Sequence, residues 1–210
     1  MPARLLYVMD PMCSWCWGFG PVIEALAAQA EACDVPLHLI VGGLRRERAA
    51  LEPAARVRIL GYWQAVNAST GQLFNFEAGL PEGLVYDTEP ACRALVTARQ
   101  LDPQSVWPLA RRIQEAFYTE GQDVTQAPVL VRLAEQAGIP RIEFAEAFDS
   151  AAAQAATAKD FAWVQDLGIA GYPTLLAERN GQLALLTNGY RSLDELAPLL
   201  ARWLDRATHD

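Results

Sequence analysis

The chain has 210 residues, a formal net charge of −8 at pH 7, 52% hydrophobic residues and 20% charged ones. That length suits one domain, or one domain carrying a large insertion, and six Trp, six Tyr and seven Phe exclude a disordered polymer. The acidic balance lacks the clustered Lys and Arg that phosphate backbones attract, so nucleic acid is excluded as a partner; Arg45, Arg46 and Arg48 form only a short basic cluster, read as a solvated loop.

The N-terminal run from Leu5 to Val8 lies between Arg4 and Asp10. It is too short for a signal-peptide core and reads as a strand buried on both faces. No stretch reaches the ~18–20 apolar residues that a membrane span needs, so the expectation is a cytoplasmic protein without membrane contact. Next, Pro11 to Pro21 leads into Val22, Ile23, Leu26, Ala27 and Ala30, which sit at helical spacing. Leu37 to Val41, entered by Pro36 and closed by Gly42-Gly43, is a second strand. Strand, helix, strand in so short a span implies a parallel pair.

From about residue 47 to 168 the period becomes helical with no convincing strand. The expected helices are Pro53 to Ser69, Glu89 to Gln100, Gln104 to Thr119, Gln126 to Gly138, Ile142 to Ser150 and Ala151 to Leu167. Asp87-Thr88-Glu89-Pro90 reads as a helix start, and Thr70 to Tyr86 as a loop. The pattern then shortens again: Thr174 to Glu178 and Leu183 to Thr187 flank Asn180-Gly181, a two-residue hairpin signal. Ser192 and Glu195 form a capping box before a last helix with Leu193, Leu196, Leu199, Leu200 and Trp203 as its stripe. The expected class is α/β: a βαβ…ββα thioredoxin-like domain (1–46 and 151–210) interrupted by an all-α insertion domain (47–150).

Cys13-Ser14-Trp15-Cys16 spans the exit of the first strand and the start of the first helix. Thiol-disulfide exchange needs a thiolate, and the first helical turn offers unpaired N–H groups and a partial positive charge that favour an anion. An i,i+3 pair there brings the second sulfur beneath the first, within disulfide reach. Cys13, nearer those N–H groups, is the expected attacking sulfur and Cys16 the resolving one. The alternative, half of a zinc site, needs partners among Cys33, Cys92, His38 and His209, none of which pair at ligand spacing, and no metal is expected. Cys33 and Cys92 read as unreactive small hydrophobes and His38 as a buried core histidine. Asp10, three residues before Cys13, could oppose or tune thiolate formation, ferry protons, or cap the local backbone, the last being favoured. Trp15 is the more exposed of the two Trp at the motif. Gly171-Tyr172-Pro173-Thr174 enters the third strand, where a proline is expected whatever the function.

These residues together resemble the DsbA family of thiol-disulfide oxidoreductases, in its cytoplasmic FrnE-like branch. Asp10 to Phe19 and Gly171 to Thr174 carry the resemblance, with Ala91 to Ala94, Phe117 to Val124 and Gly189-Tyr190 extending it over essentially the whole chain. The resemblance implies a thioredoxin-like domain interrupted by helices. In its terms Cys13 is the nucleophile, Cys16 resolves, and Pro173 is a cis-proline that contacts substrate and blocks metal access. Trp15 and Tyr172 join Pro173 as substrate-binding residues, and Asp10 is a candidate tuning group. Partners are then protein or small-molecule thiols and disulfides, with no cofactor beyond the redox-active disulfide, glutathione as candidate electron donor and the oligomeric state open. Ser14-Trp15 stands where the periplasmic oxidant has Pro-His, so a strongly oxidising potential does not carry over, and reductase or isomerase activity is expected. Two alternatives stay open. One is a glutathione-dependent isomerase or transferase of the 2-hydroxychromene-2-carboxylate isomerase or kappa-class type, relatives that share the architecture but usually have Ser where Cys13 stands. The other is a non-catalytic, chaperone-like binding module.

Overall fold

The computed structural model describes residues 3–205. β1 (Arg4–Met9) is buried along nearly its whole length. The chain then turns into α1 (Ser14–Gly18) and α2 (Gly20–Glu31). The spacing predicts one continuous helix, but the stretch breaks at Phe19, because Pro21 has no N–H to offer the Trp17 carbonyl one turn back. The Gln72 side-chain amide donates to that carbonyl instead, at 2.9 Å.

β2 (Leu37–Val41) returns parallel to β1, with Leu5 opposite Leu37 and Met9 opposite Val41. β5 (Thr174–Arg179) runs antiparallel to β1 on its other side, and β6 (Gln182–Asn188) antiparallel to β5, giving the order β2-β1-β5-β6. Asn180 and Gly181, with φ of 52° and 79°, make the tight hairpin turn that two left-handed residues allow. α9 (Leu193–Asp205) closes the ββα half, the Glu195 carboxylate accepting the Ser192 N–H at 3.1 Å. Leu5, Tyr7 and Met9 share one face of β1 and join Phe19, Ile23 and Leu26 of the α1–α2 stretch and Leu196, Leu200 and Leu204 of α9 in one buried cluster. Leu193, expected in that stripe, is exposed.

Between the halves lie α3 (Pro53–Thr70), α4 (Glu89–Leu101), α5 (Val106–Tyr118), α6 (Ala127–Gln136), α7 (Arg141–Phe148) and α8 (Ala151–Asp166). Proline in the first turn starts α3, α4 and α6, where the missing N–H has no helical partner to lose. Ser150 caps α8 by accepting the Ala153 N–H at 3.1 Å. α8 leads the chain back to the sheet, and Arg99 of α4 grips its Asp160 with two guanidinium bonds of 2.9 Å while also donating to the Leu39 carbonyl.

Three expectations are corrected. The middle block is not purely helical: β3 (Arg46–Ala50) pairs antiparallel with β4 (Val85–Asp87). β3 is exposed at every position and β4 has three residues, so neither shows the apolar alternation by which strands are recognised. His38 is exposed, on the opposite face of β2 from the buried Leu39 and Val41. Cys33 is exposed too, in the turn that ends α2 and passes through Asp34 at φ 57°.

Candidate active site

β1 delivers Asp10 to the end of the sheet, where it is fully buried. One carboxylate oxygen accepts the Met12 N–H at 2.8 Å, an Asx turn that swings the chain off the strand and into α1. The other accepts the Leu44 N–H at 2.7 Å, the Thr88 hydroxyl at 2.6 Å and the Cys92 thiol at 3.4 Å. One carboxylate therefore ties together the exit of β1, the loop after β2 and the start of α4. Burial raises its pKa from the ordinary 3.8, against the pull of these donors. Thr88 marks the start of α4 as expected, yet its hydroxyl serves Asp10 and makes no cap. Cys92 is buried as expected, and its thiol is a donor to Asp10 as well as a packing group.

Cys13 is the N-cap of α1, in extended conformation (φ −89°, ψ 117°) and 6% exposed. Its N–H donates to the Asp10 carbonyl at 3.0 Å, and its own carbonyl accepts the Trp17 N–H at 3.1 Å, which fixes the sulfur at the helix mouth. Cys13 Sγ lies 3.6 Å from the carbonyl oxygen of Tyr172, to which it donates. Cys16, one turn along, is 1% exposed with its sulfur against that of Cys13. Burial first, and the Cys13 sulfur second, push the Cys16 thiol well above the ordinary 9.0. Both cysteines are free thiols.

The Tyr172–Pro173 bond is cis, and Pro173 is buried at the entry of β5. The Tyr172 hydroxyl donates to the Gly42 carbonyl at 2.7 Å, holding the segment against the end of β2. Gly42 is required there, since a Cβ would stand 2.2 Å from the Tyr172 ring. A groove of about 220 Å³ opens over Cys13, walled by Trp15, Leu44, Arg45, Tyr62, Tyr86 and Tyr172. Trp15 is half-buried, its ring 5.8 Å from that of Tyr190. The structure thus brings together Asp10, Cys13, Trp15, Cys16, Tyr172 and Pro173.

Sequence reasoning missed the far wall. Tyr86 donates to the Met12 carbonyl at 2.6 Å, and Leu44, Arg45 and Tyr62 complete the groove, but these residues come from a segment read as loop, from the basic cluster and the position before it, and from an expected helix with no sign of a site. Among the described residues, no group of three or more His, Cys, Asp or Glu side chains is placed to hold a metal ion. His209 lies outside the described residues. No helix among them is long and apolar enough to cross a membrane.

The DSBA-like thioredoxin domain family matches residues 4–201. Among solved structures, one described as a candidate protein disulfide isomerase from Nitrosomonas europaea superposes with a TM-score of 0.91 at 41% identity, covering 98% of this chain and 99% of that one. The cytosolic disulfide reductase DsbM from Pseudomonas aeruginosa superposes with a TM-score of 0.80 at 29% identity, covering 96% and 98%. DsbM has also been solved with glutathione. A curated relative, the ClpXP adapter protein SpxH of Halalkalibacterium halodurans, is 22% identical over 179 residues; the match covers 83% of this chain but only 58% of that protein's length.

Proposed function

We propose, from the premise that the chain belongs to the DSBA-like thioredoxin domain family and is a thiol-disulfide oxidoreductase, that Cys13 and Cys16 are its redox pair and that it works as a cytoplasmic disulfide reductase or isomerase. The observation that carries this reading is the placement of the two sulfurs: Cys13 at the mouth of α1 beneath a groove, Cys16 buried directly behind it. The Cys13 thiolate attacks one sulfur of a substrate disulfide, forming a mixed disulfide and releasing the other sulfur as a thiol. Cys16 then attacks Cys13, the substrate leaves fully reduced, and the pair is left as a disulfide. Two equivalents of a small thiol return it to the dithiol: the first captures Cys13 and frees Cys16, the second removes the first as its own disulfide. Glutathione fits this donor role, as its presence with DsbM supports.

The groove supplies positioning. Trp15 and Tyr172 flank Cys13 and present aromatic faces to the chain around the substrate sulfur, and the backbone at Tyr172–Pro173 faces Cys13. Asp10 acts on the site as its organiser, through the turn that sets Cys13 at the N-cap. A cytosolic glutathione pool of about −220 to −320 mV keeps a pair without a strongly oxidising dipeptide largely reduced, so electrons flow from the pool to substrate. The direction is testable with the wild-type chain. In a buffer of mostly reduced glutathione, insulin disulfides are expected to be reduced in proportion to enzyme. Net formation of disulfides in a reduced dithiol peptide under that buffer, with no insulin reduction, would assign the opposite role.

A further inference from the structure

The sulfur that does the resolving has a neighbour that the sequence marks only as core. Tyr7 stands in the middle of β1, 1% exposed, its ring 6.0 Å from Phe19 and 6.1 Å from Trp107. Its hydroxyl is buried and has no hydrogen-bond partner among the described residues. Tyr7 lies in the same buried cluster as Cys13 and Cys16, and among the ionisable groups whose charge reaches this hydroxyl the Cys16 sulfur acts most strongly. A neutral thiol is a poor acceptor, so with both cysteines protonated the hydroxyl gains little from it. A thiolate is a strong one, and the hydrogen bond from a buried O–H to it is charge-assisted. A hydroxyl left unsatisfied in one protonation state and satisfied in the other favours the second.

We propose that Tyr7 is a catalytic residue of the second half-reaction, donating its O–H to the Cys16 sulfur whenever negative charge develops there. The inference rests on the reading of Cys13 and Cys16 as the redox pair. As Cys16 attacks the mixed disulfide, the Cys16–Cys13 bond forms, the bond from Cys13 to the substrate sulfur breaks, and that sulfur departs with the electron pair. The proton lost by Cys16 ends on the departing thiol, the pair is oxidised by two electrons and the substrate disulfide is reduced by two. In the reverse sense, when a small thiol opens the Cys13–Cys16 bond, the same O–H receives Cys16 as the leaving thiolate. Tyr7 keeps its own proton throughout: burial, then the charges of the two sulfurs, raise its ionisation far above the ordinary 10.0, with Arg111 opposing weakly. The other titrating groups around Cys16 are Cys13, the Asp10 carboxylate and the hydroxyls of Tyr118 and Tyr172.

Tyr7→Phe removes the hydroxyl and keeps the ring, so the packing against Phe19 and Trp107 is retained. Reduced protein mixed with an aryl disulfide that releases a coloured thiolate gives two phases, one for capture by Cys13 and one for resolution by Cys16. In the variant the second phase is expected to slow by about 10-fold or more, with the first phase within about two-fold and the pH profile of the second displaced to higher pH. A second phase of wild-type rate, or both phases slowed alike, overturns the role for Tyr7. A wild-type protein that releases only the first thiol instead overturns the redox-pair reading itself, and the inference falls with it.

Discussion

Cys13→Ser is expected to abolish disulfide reduction, lowering turnover by about a thousand-fold or more, while leaving the fold intact. A hydroxyl is nearly isosteric with the thiol but is not ionised near neutrality, and among the described residues no basic side chain lies at hydrogen-bond distance from Cys13 to activate it: its sulfur meets the Tyr172 carbonyl. Cys16→Ser is expected to behave differently. Capture by Cys13 proceeds, but nothing displaces the captured group, so one equivalent of glutathione or substrate peptide accumulates on Cys13. Intact-mass spectra after mixing each reduced variant with glutathione disulfide read both outcomes. Full turnover by Cys13→Ser, or an adduct carried on Cys16 in preference to Cys13, would reverse the assigned order. Retained activity in Cys13→Ser with glutathione bound non-covalently would favour a glutathione-dependent isomerase.

Asp10→Ala is expected to destabilise the protein by about 3 kcal/mol, read as a shift of the denaturant midpoint. The substitution removes the side-chain acceptor of the Met12 and Leu44 N–H groups and of the Cys92 thiol at once, and leaves the Thr88 hydroxyl only the Arg45 carbonyl at 3.4 Å. Each unsatisfied buried donor costs about 1–3 kcal/mol, moderated where Leu44 reaches solvent. Asp10→Asn keeps the shape but points an amide N–H at a site built of donors, and about half that loss is expected. The pH dependence has a definite sign. Because burial raises the folded-state pKa, the native protein retains a proton that the unfolded chain has already released at pH values just above 3.8. The stability that Asp10 contributes therefore falls as pH rises from 3.8 through the raised value. Relative to Asp10→Asn, the wild type is expected to gain stability as the pH is lowered from neutrality toward 3.8, and a gap that closes on acidification would contradict the buried-anion account.

Which parts of this were legible in the sequence follows from how local their causes are. β1, the Asn180-Gly181 hairpin and the helices with Pro at their starts are set by burial pattern and by residues that tolerate few backbone conformations, both of which are written in adjacent positions. Cys13 at an N-cap with Cys16 one turn behind is likewise local. β3 escapes because all five residues face solvent and pair with a partner about 40 residues on, through backbone groups that every sequence possesses. Asp10 reads as a turn residue, and it is one; its other donors, Thr88 and Cys92, are 78 and 82 positions away and carry no mark of the role. Tyr7 looks like any strand aromatic until its hydroxyl is found buried without a hydrogen bond in the cluster that holds Cys16. Tyr172 is the intermediate case: the Gly-Tyr-Pro-Thr context draws the eye, but the reach of its hydroxyl to Gly42 exists only in the folded chain.

The most direct measurement equilibrates the protein with glutathione buffers of graded oxidation, quenches free thiols by alkylation, and maps every cysteine by peptide mass. The account predicts a reversible transition in which Cys13 and Cys16 become joined to each other, with Cys33 and Cys92 outside the bond. Oxidation that leaves Cys13 and Cys16 unjoined at every ratio, or that pairs either of them with a different cysteine, would contradict it.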